Sequence, residues 1–201
     1  MGVQTDVQVK FIADENAADP DRLVTAARPN TSATMAATTF LGGGARNVTV
    51  TTAGTGDNNK TCTITGEDVF GNAITEVITS TGSAEAVAGA KLFVTVSAVE
   101  CSAQYAANIT VGSGSLCASA VAGGGRTRLK GYSIVSAGTA GLVDFYNGTP
   151  EDGTIIFKAQ TIGTDNSTVD NTIPDEGMLF KSGLAVGYTV ATVVLANVFF
   201  A

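Results

Sequence analysis

The feature that most restricts this chain is a period of two. Short runs alternate apolar with polar residues and are cut repeatedly by Gly, Asn and Asp. Successive side chains of a strand point to opposite faces, so such runs read as strands and the breaks between them as turns. At the extreme N-terminus Val3, Thr5, Val7, Val9 and Phe11 alternate with Gln4, Asp6, Gln8 and Lys10, which predicts a half-buried strand able to complete a sheet in its own subunit or a neighbour. A first block then offers strands at 45–53, with Val48 and Val50 on one face, at 60–66, with Cys62 and Ile64 on one face, and at 73–79, 91–99 and 107–111. A second block offers 128–136, 141–146, 154–159, 177–180 and a long run 187–200.

Between these blocks the pattern predicts joints. From 14 to 39 the alternation dissolves. Asp19-Pro20 resembles a helix start, with Asp at the N-cap and Pro at the first helical position, and an extended arm fits equally well. Residues 118–125 are small and end in three glycines, the composition of a flexible joint. Segment 163–174 reads as a loop. The expected fold class is therefore all-β: two small antiparallel β-sandwich domains, Ig-like or jelly-roll-like, at 41–122 and 126–201, preceded by an N-terminal strand and extended arm at 1–40.

Composition narrows the chemistry. Of 201 residues, 44% are hydrophobic, enough for a core, and only 14% are charged, so Thr, Ser, Asn and backbone groups must keep the surface wet. The formal charge of −7, with cations scattered apart from Arg126, Arg128 and Lys130, argues against direct binding of nucleic acid. No secretory signal or myristoylation motif is readable at the start, and the apolar run 186–201 is too short and too β-branched for a spanning helix. A buried terminal strand and no membrane partner are expected instead.

No histidine is present, which removes the common Ser–His and Cys–His nucleophile arrangements and any zinc site that uses His. The three cysteines, Cys62, Cys101 and Cys117, lack CxxC spacing and read as buried thiols of a protein made in a reducing cytoplasm. The acidic pairs Glu67-Asp68, Glu151-Asp152 and Asp175-Glu176 fall in turns. Asp144 stands in a strand, facing away from Val143 and Phe145. Asp165–Asp170 and Asp14–Asp21 lack the spacing and central Gly of an EF-hand. The Asn-x-Thr triplets at Asn47 and Asn108 are coincidences of a Thr-rich chain. Hence no catalytic residue, no cofactor and no metal ligand is expected. The candidate residues are contact residues: Val3, Val7, Val9 and Phe11 on the terminal strand, and Arg126 and Arg128 after the joint.

Two stretches resemble β modules recurrent in virion proteins of tailed bacteriophages. ARNVTVTTAGTGDNNKTCTITGEDVFGNAITEVIT with KLFVTVSAVECSAQYAANITVG resembles the first, through Ala45-Arg46, Thr65-Gly66, Gly71-Asn72, Thr75-Glu76 and Val111-Gly112. The second half resembles another, through Val143–Thr149, Gly153–Phe157 and Gly183–Val186. Together they span about residues 40–201, and neither pattern carries catalytic residues. The resemblance implies a virion structural protein. With the small size, the acidity and two modules able to touch different neighbours, it implies a capsid decoration or cement protein. Such a protein sits on the outer capsid surface, partnered by the major capsid protein and by its own copies, often as a trimer. A tail, baseplate or fibre-associated protein with a receptor-binding role is the alternative.

Overall fold

The computed structural model describes residues 7–13 and 17–201. Among them are fifteen strands, one short 3-10 turn at Thr55–Asp57 and no α-helix. In chain order the strands are β1 (Gln8–Ile12), β2 (Val24–Ala27), β3 (Ala45–Thr52), β4 (Thr61–Glu67), β5 (Ala73–Thr79), β6 (Ala86–Phe93), β7 (Thr95–Cys101) and β8 (Ile109–Ala122). They continue as β9 (Thr127–Ser136), β10 (Leu142–Asn147), β11 (Thr154–Gln160), β12 (Thr168–Thr172), β13 (Met178–Phe180), β14 (Leu184–Thr189) and β15 (Val193–Phe200). The fold is all-β, with antiparallel pairing in the sheets.

Two compact units divide the chain: residues 17–117 form one, and residues 118–201 with 7–13 form the other. In the first unit β4 lies between β5 and β7 in one sheet, while β3 lies between β8 and β6 in another, with β2 on β8. Their apolar faces share a core that includes Val48, Val50, Ile64, Phe93, Val96, Tyr105, Ile109 and Val111. The alternation that predicted β4 holds strictly, with Cys62, Ile64 and Gly66 buried between less buried threonines.

The expected single strand 91–99 is instead two strands. The chain bends at Val94, leaving β3 for β4, and the Val94 N–H is bonded to the Glu67 carbonyl (2.8 Å). Leu92 and Phe93, just before the bend, are both buried, as are Asn47 and Arg46 opposite them on β3, so both faces of the sheet are covered there. Gly66 permits this crossing: a Cβ there would lie 2.0 Å from the Thr95 carbonyl oxygen and 3.0 Å from the Phe93 ring. The β4–β7 register slips at the same point, as a bulge does.

Residues 17–40 are an extended segment built into the first unit rather than a helix. One turn closes at Asp19, whose carbonyl accepts from Arg22 (3.4 Å), and β2 follows. Leu23, Val24, Ala33 and Phe40 are buried. The backbone at 31–38 runs along β7, through Cys101 N–H to Thr31, Ala33 N–H to Val99 and Val96 N–H to Thr38. It supplies the hydrogen bonds an open edge would otherwise lack. Gly112 lets Asp19 and Pro20 lie on β8, since a Cβ there would meet the Asp19 carbonyl oxygen at 2.0 Å.

In the second unit β15 lies between β1 and β9, with β12 and β13 on β9, and β10 lies between β11 and β14. Tyr132 of β9 packs on Phe145 of β10 and Phe157 of β11, with ring centroids 5.6 and 5.7 Å apart. Ile12, Ala196, Val198 and Ile134 are buried on the same face of their sheet as Tyr132. Three expectations change here. The run 187–200 is two strands separated by a turn at 190–192, closed by Thr192 N–H to the Thr189 carbonyl (2.9 Å). The loop expected at 163–174 contains β12. The flexible joint expected at 118–125 is strand as far as Ala122, where β8 ends.

Candidate interaction surface

The terminal strand forms, but burial does not follow its alternation, since Gln8, Val9, Lys10 and Phe11 are all exposed. β1 is an edge strand, paired with β15 in the register Val9↔Phe199, Phe11↔Asn197 and Ile12↔Ala196. Only Ile12 reaches the core. Val7, Val9 and Phe11 point to the outer face and are 51%, 58% and 58% exposed, and Phe199 beside Val9 is 38% exposed. Half-burial of these residues was the expectation, and it fails because the alternating positions face away from Tyr132 and Ile134. Val3, the remaining strand candidate, lies outside the described residues.

This apolar strip borders a cleft of about 370 Å³ on the same outer face. Its lining runs from Val7 and Phe199 across Gly131 to Thr172 and Asp170, with Lys130 at the margin. The register explains the grouping, since Phe199 lies opposite Gly131, and Gly131 opposite Thr172. The lining therefore passes from apolar to polar across three strands.

Arg126 is exposed in the connection after β8. Arg128 is not a free cation: it donates to the carbonyls of Glu176 and Gly177 (3.3 Å each) and lies 3.7 Å from the Glu176 carboxylate. Lys130 donates to the Asp175 carbonyl (3.2 Å). These two basic residues hold the turn before β13; Arg126 is exposed, whereas Arg128 is half-buried.

The acidic residues are likewise tied locally. Asp144 faces away from the buried Val143 and Phe145, as its place in β10 predicted, and is ion-paired with Lys158 on β11 (3.1 Å). Burial, with the Asp144 and Glu151 carboxylates nearby, pushes the Tyr146 hydroxyl up. Asp57 is buried and accepts from Lys60 (2.7 Å), Ala106 N–H (2.5 Å) and Ala107 N–H (3.2 Å). Burial opposes its charge, but these donors outweigh it and hold the carboxyl below the usual range. Among the described residues no three His, Cys, Asp or Glu side chains gather closely enough to hold a metal ion.

The positions that carry the resemblance do structural work. Arg46 is buried and donates to Cys117 Sγ (3.0 Å). Asp68 accepts from Phe70 and Asn72 N–H (2.8 and 2.9 Å), closing the turn that contains Gly71-Asn72. Glu76 accepts from Ala90 N–H (2.7 Å) and so joins β5 to β6. Sequence reasoning missed a second exposed apolar group on the edge strand β11, Ile155 and Ile156, which alternation cannot flag because the two are adjacent. Compared with models of known families, with curated proteins and with solved structures, the chain matches none.

Proposed function

We propose that the chain is a bacteriophage virion structural protein, a capsid decoration or cement protein that binds the outer capsid lattice. The observation that carries this reading is the strip of Val7, Val9, Phe11 and Phe199 along an edge strand. Soluble proteins usually blunt such edges with charge, Pro or a covering segment. Here the edge strand carries Lys10, but its outer face, Val9 and Phe11 beside Phe199, is apolar, which suits a sheet face that another protein covers. The resemblance to phage β modules supplies the kind of particle, and the sparse charge suits extended contact with neighbouring subunits. Several modest contacts per subunit, repeated over a homo-oligomer such as a trimer, would add avidity.

A tail, baseplate or fibre-associated role with receptor binding is the second reading. The cleft beside the strip favours it, because Lys130 and Asp170 there offer charges of both signs to a polar ligand. Cryo-EM of the particle separates the two. Decoration predicts density for this chain on the capsid shell, over the contacts between capsomers. Density confined to the tail would replace it with the second reading, and absence from the particle would refute both.

A further inference from the structure

Cys62 and Cys101 lie directly opposite each other on β4 and β7. The Ser102 N–H donates to the Thr61 carbonyl (3.0 Å), so Thr61 and Ser102 occupy a hydrogen-bonded pair position. The next pair, Cys62 and Cys101, is therefore a non-hydrogen-bonded one. At such positions Cα atoms approach to about 4.5 Å and the side chains stand closest. That spacing lies within the range a disulfide bridges. The two sulfurs are already 3.8 Å apart, and both residues are buried in the core of the first unit.

We propose that Cys62 and Cys101 are an oxidation site, at which a disulfide oxidant such as oxidised glutathione joins them into a cross-strand disulfide. In the balanced step one cysteine thiolate attacks a glutathione sulfur and releases one glutathione. The second cysteine then attacks the mixed disulfide and releases the other. Two protein thiols lose two protons and two electrons, and one oxidised glutathione becomes two reduced ones. The hydrogen bond between the thiols lowers Cys62 and raises Cys101. The Tyr105 hydroxyl, 3.2 Å from Cys62 Sγ, is a further polar neighbour.

The bond would join residues 39 positions apart and fasten β7, which also carries the 31–38 segment, to the central strand of its sheet. A cross-link over a loop of that size restricts the unfolded chain. Cys117 lies elsewhere, against Arg46, and serves as an internal control. The site does not depend on the virion reading, although a particle leaving a reducing cytoplasm would meet the oxidant on release.

To remove any limit from burial, the reduced full chain is unfolded and refolded in buffers of graded reduced and oxidised glutathione. Free thiols are then counted after denaturation, and the disulfide is mapped by peptide mass. The expected result is a fall from three free thiols to one, with a Cys62–Cys101 peptide and a Tm higher by about 5–10 °C. Cys117→Ser should keep that shift, and Cys101→Ser should lose it. Three free thiols at every ratio, or a disulfide that uses Cys117, would overturn the proposal.

Discussion

β3 and β1 are written in similar alternation and meet opposite fates. β3, ARNVTVTT, has polar residues at most of its positions, yet all but one of its residues are buried. β1, QVKFI, carries Val9 and Phe11 and is exposed except at Ile12. Position in the sheet explains the difference. β3 lies between β8 and β6, which buries its polar residues, and Asn47 there accepts from Leu116 N–H (3.0 Å) and donates to the Gly89 carbonyl (3.1 Å). β1 has one core face, at Ile12, and Val9 and Phe11 on the opposite face, where each is 58% exposed. The comparison teaches that β3 is committed to folding, whereas the outer face of β1 is free for contact.

The largest effect should come from breaking β3. Asn47→Ala removes both hydrogen bonds of a buried side chain, from Leu116 N–H and to the Gly89 carbonyl, and should destabilise the protein by about 3 kcal/mol, read from urea unfolding. A change below about 0.5 kcal/mol would mean that β3 is not held by its polar groups.

A smaller effect is expected at Asp57, a buried polar group in the same unit. Asp57→Asn should cost about 2 kcal/mol at neutral pH through loss of charge-assisted bonds. Because the folded carboxyl is held below its unfolded value of about 3.9, its contribution is present above that pH and is lost as pH falls through the folded value. Urea midpoints of the two proteins should therefore converge below about pH 4. A constant gap down to pH 2 would contradict the ionic role.

The smallest effect on folding belongs to β1. Val9→Ser with Phe11→Ser should change stability by less than about 1 kcal/mol, because neither side chain leaves a core. A loss of several kcal/mol in the isolated chain would show that β1 is a folding element like β3.

Much of the fold was legible in the residues. β4, β5 and β10 follow their alternation, and these and β11 follow their Gly, Asn and Asp turns within a residue or two. The misses have local causes. The bend at Val94 and the turn at 190–192 lack Gly, Pro, Asn or Asp, so continuous apolar runs concealed them. β12, TVDNT, has a single apolar residue and is held by backbone pairing to β9, which leaves no hydrophobic signature. Val7, Val9 and Phe11 were legible as one face of a strand. Whether that face turns inward depends on which strand pairs with it, and Phe199 and Tyr132 lie far away in sequence.

Co-sedimentation with capsids tests most directly whether the outer face of β1 is a contact surface. Purified wild-type protein and the Val7→Ser/Val9→Ser/Phe11→Ser variant are each mixed with expanded, undecorated capsids, with the Tm of both recorded beforehand. The account predicts stoichiometric binding by the wild type and at least tenfold weaker binding by the variant, as expected from loss of about 1.4 kcal/mol or more of contact, at nearly equal Tm. Equal binding by the two proteins, or no binding by the wild type, would contradict it.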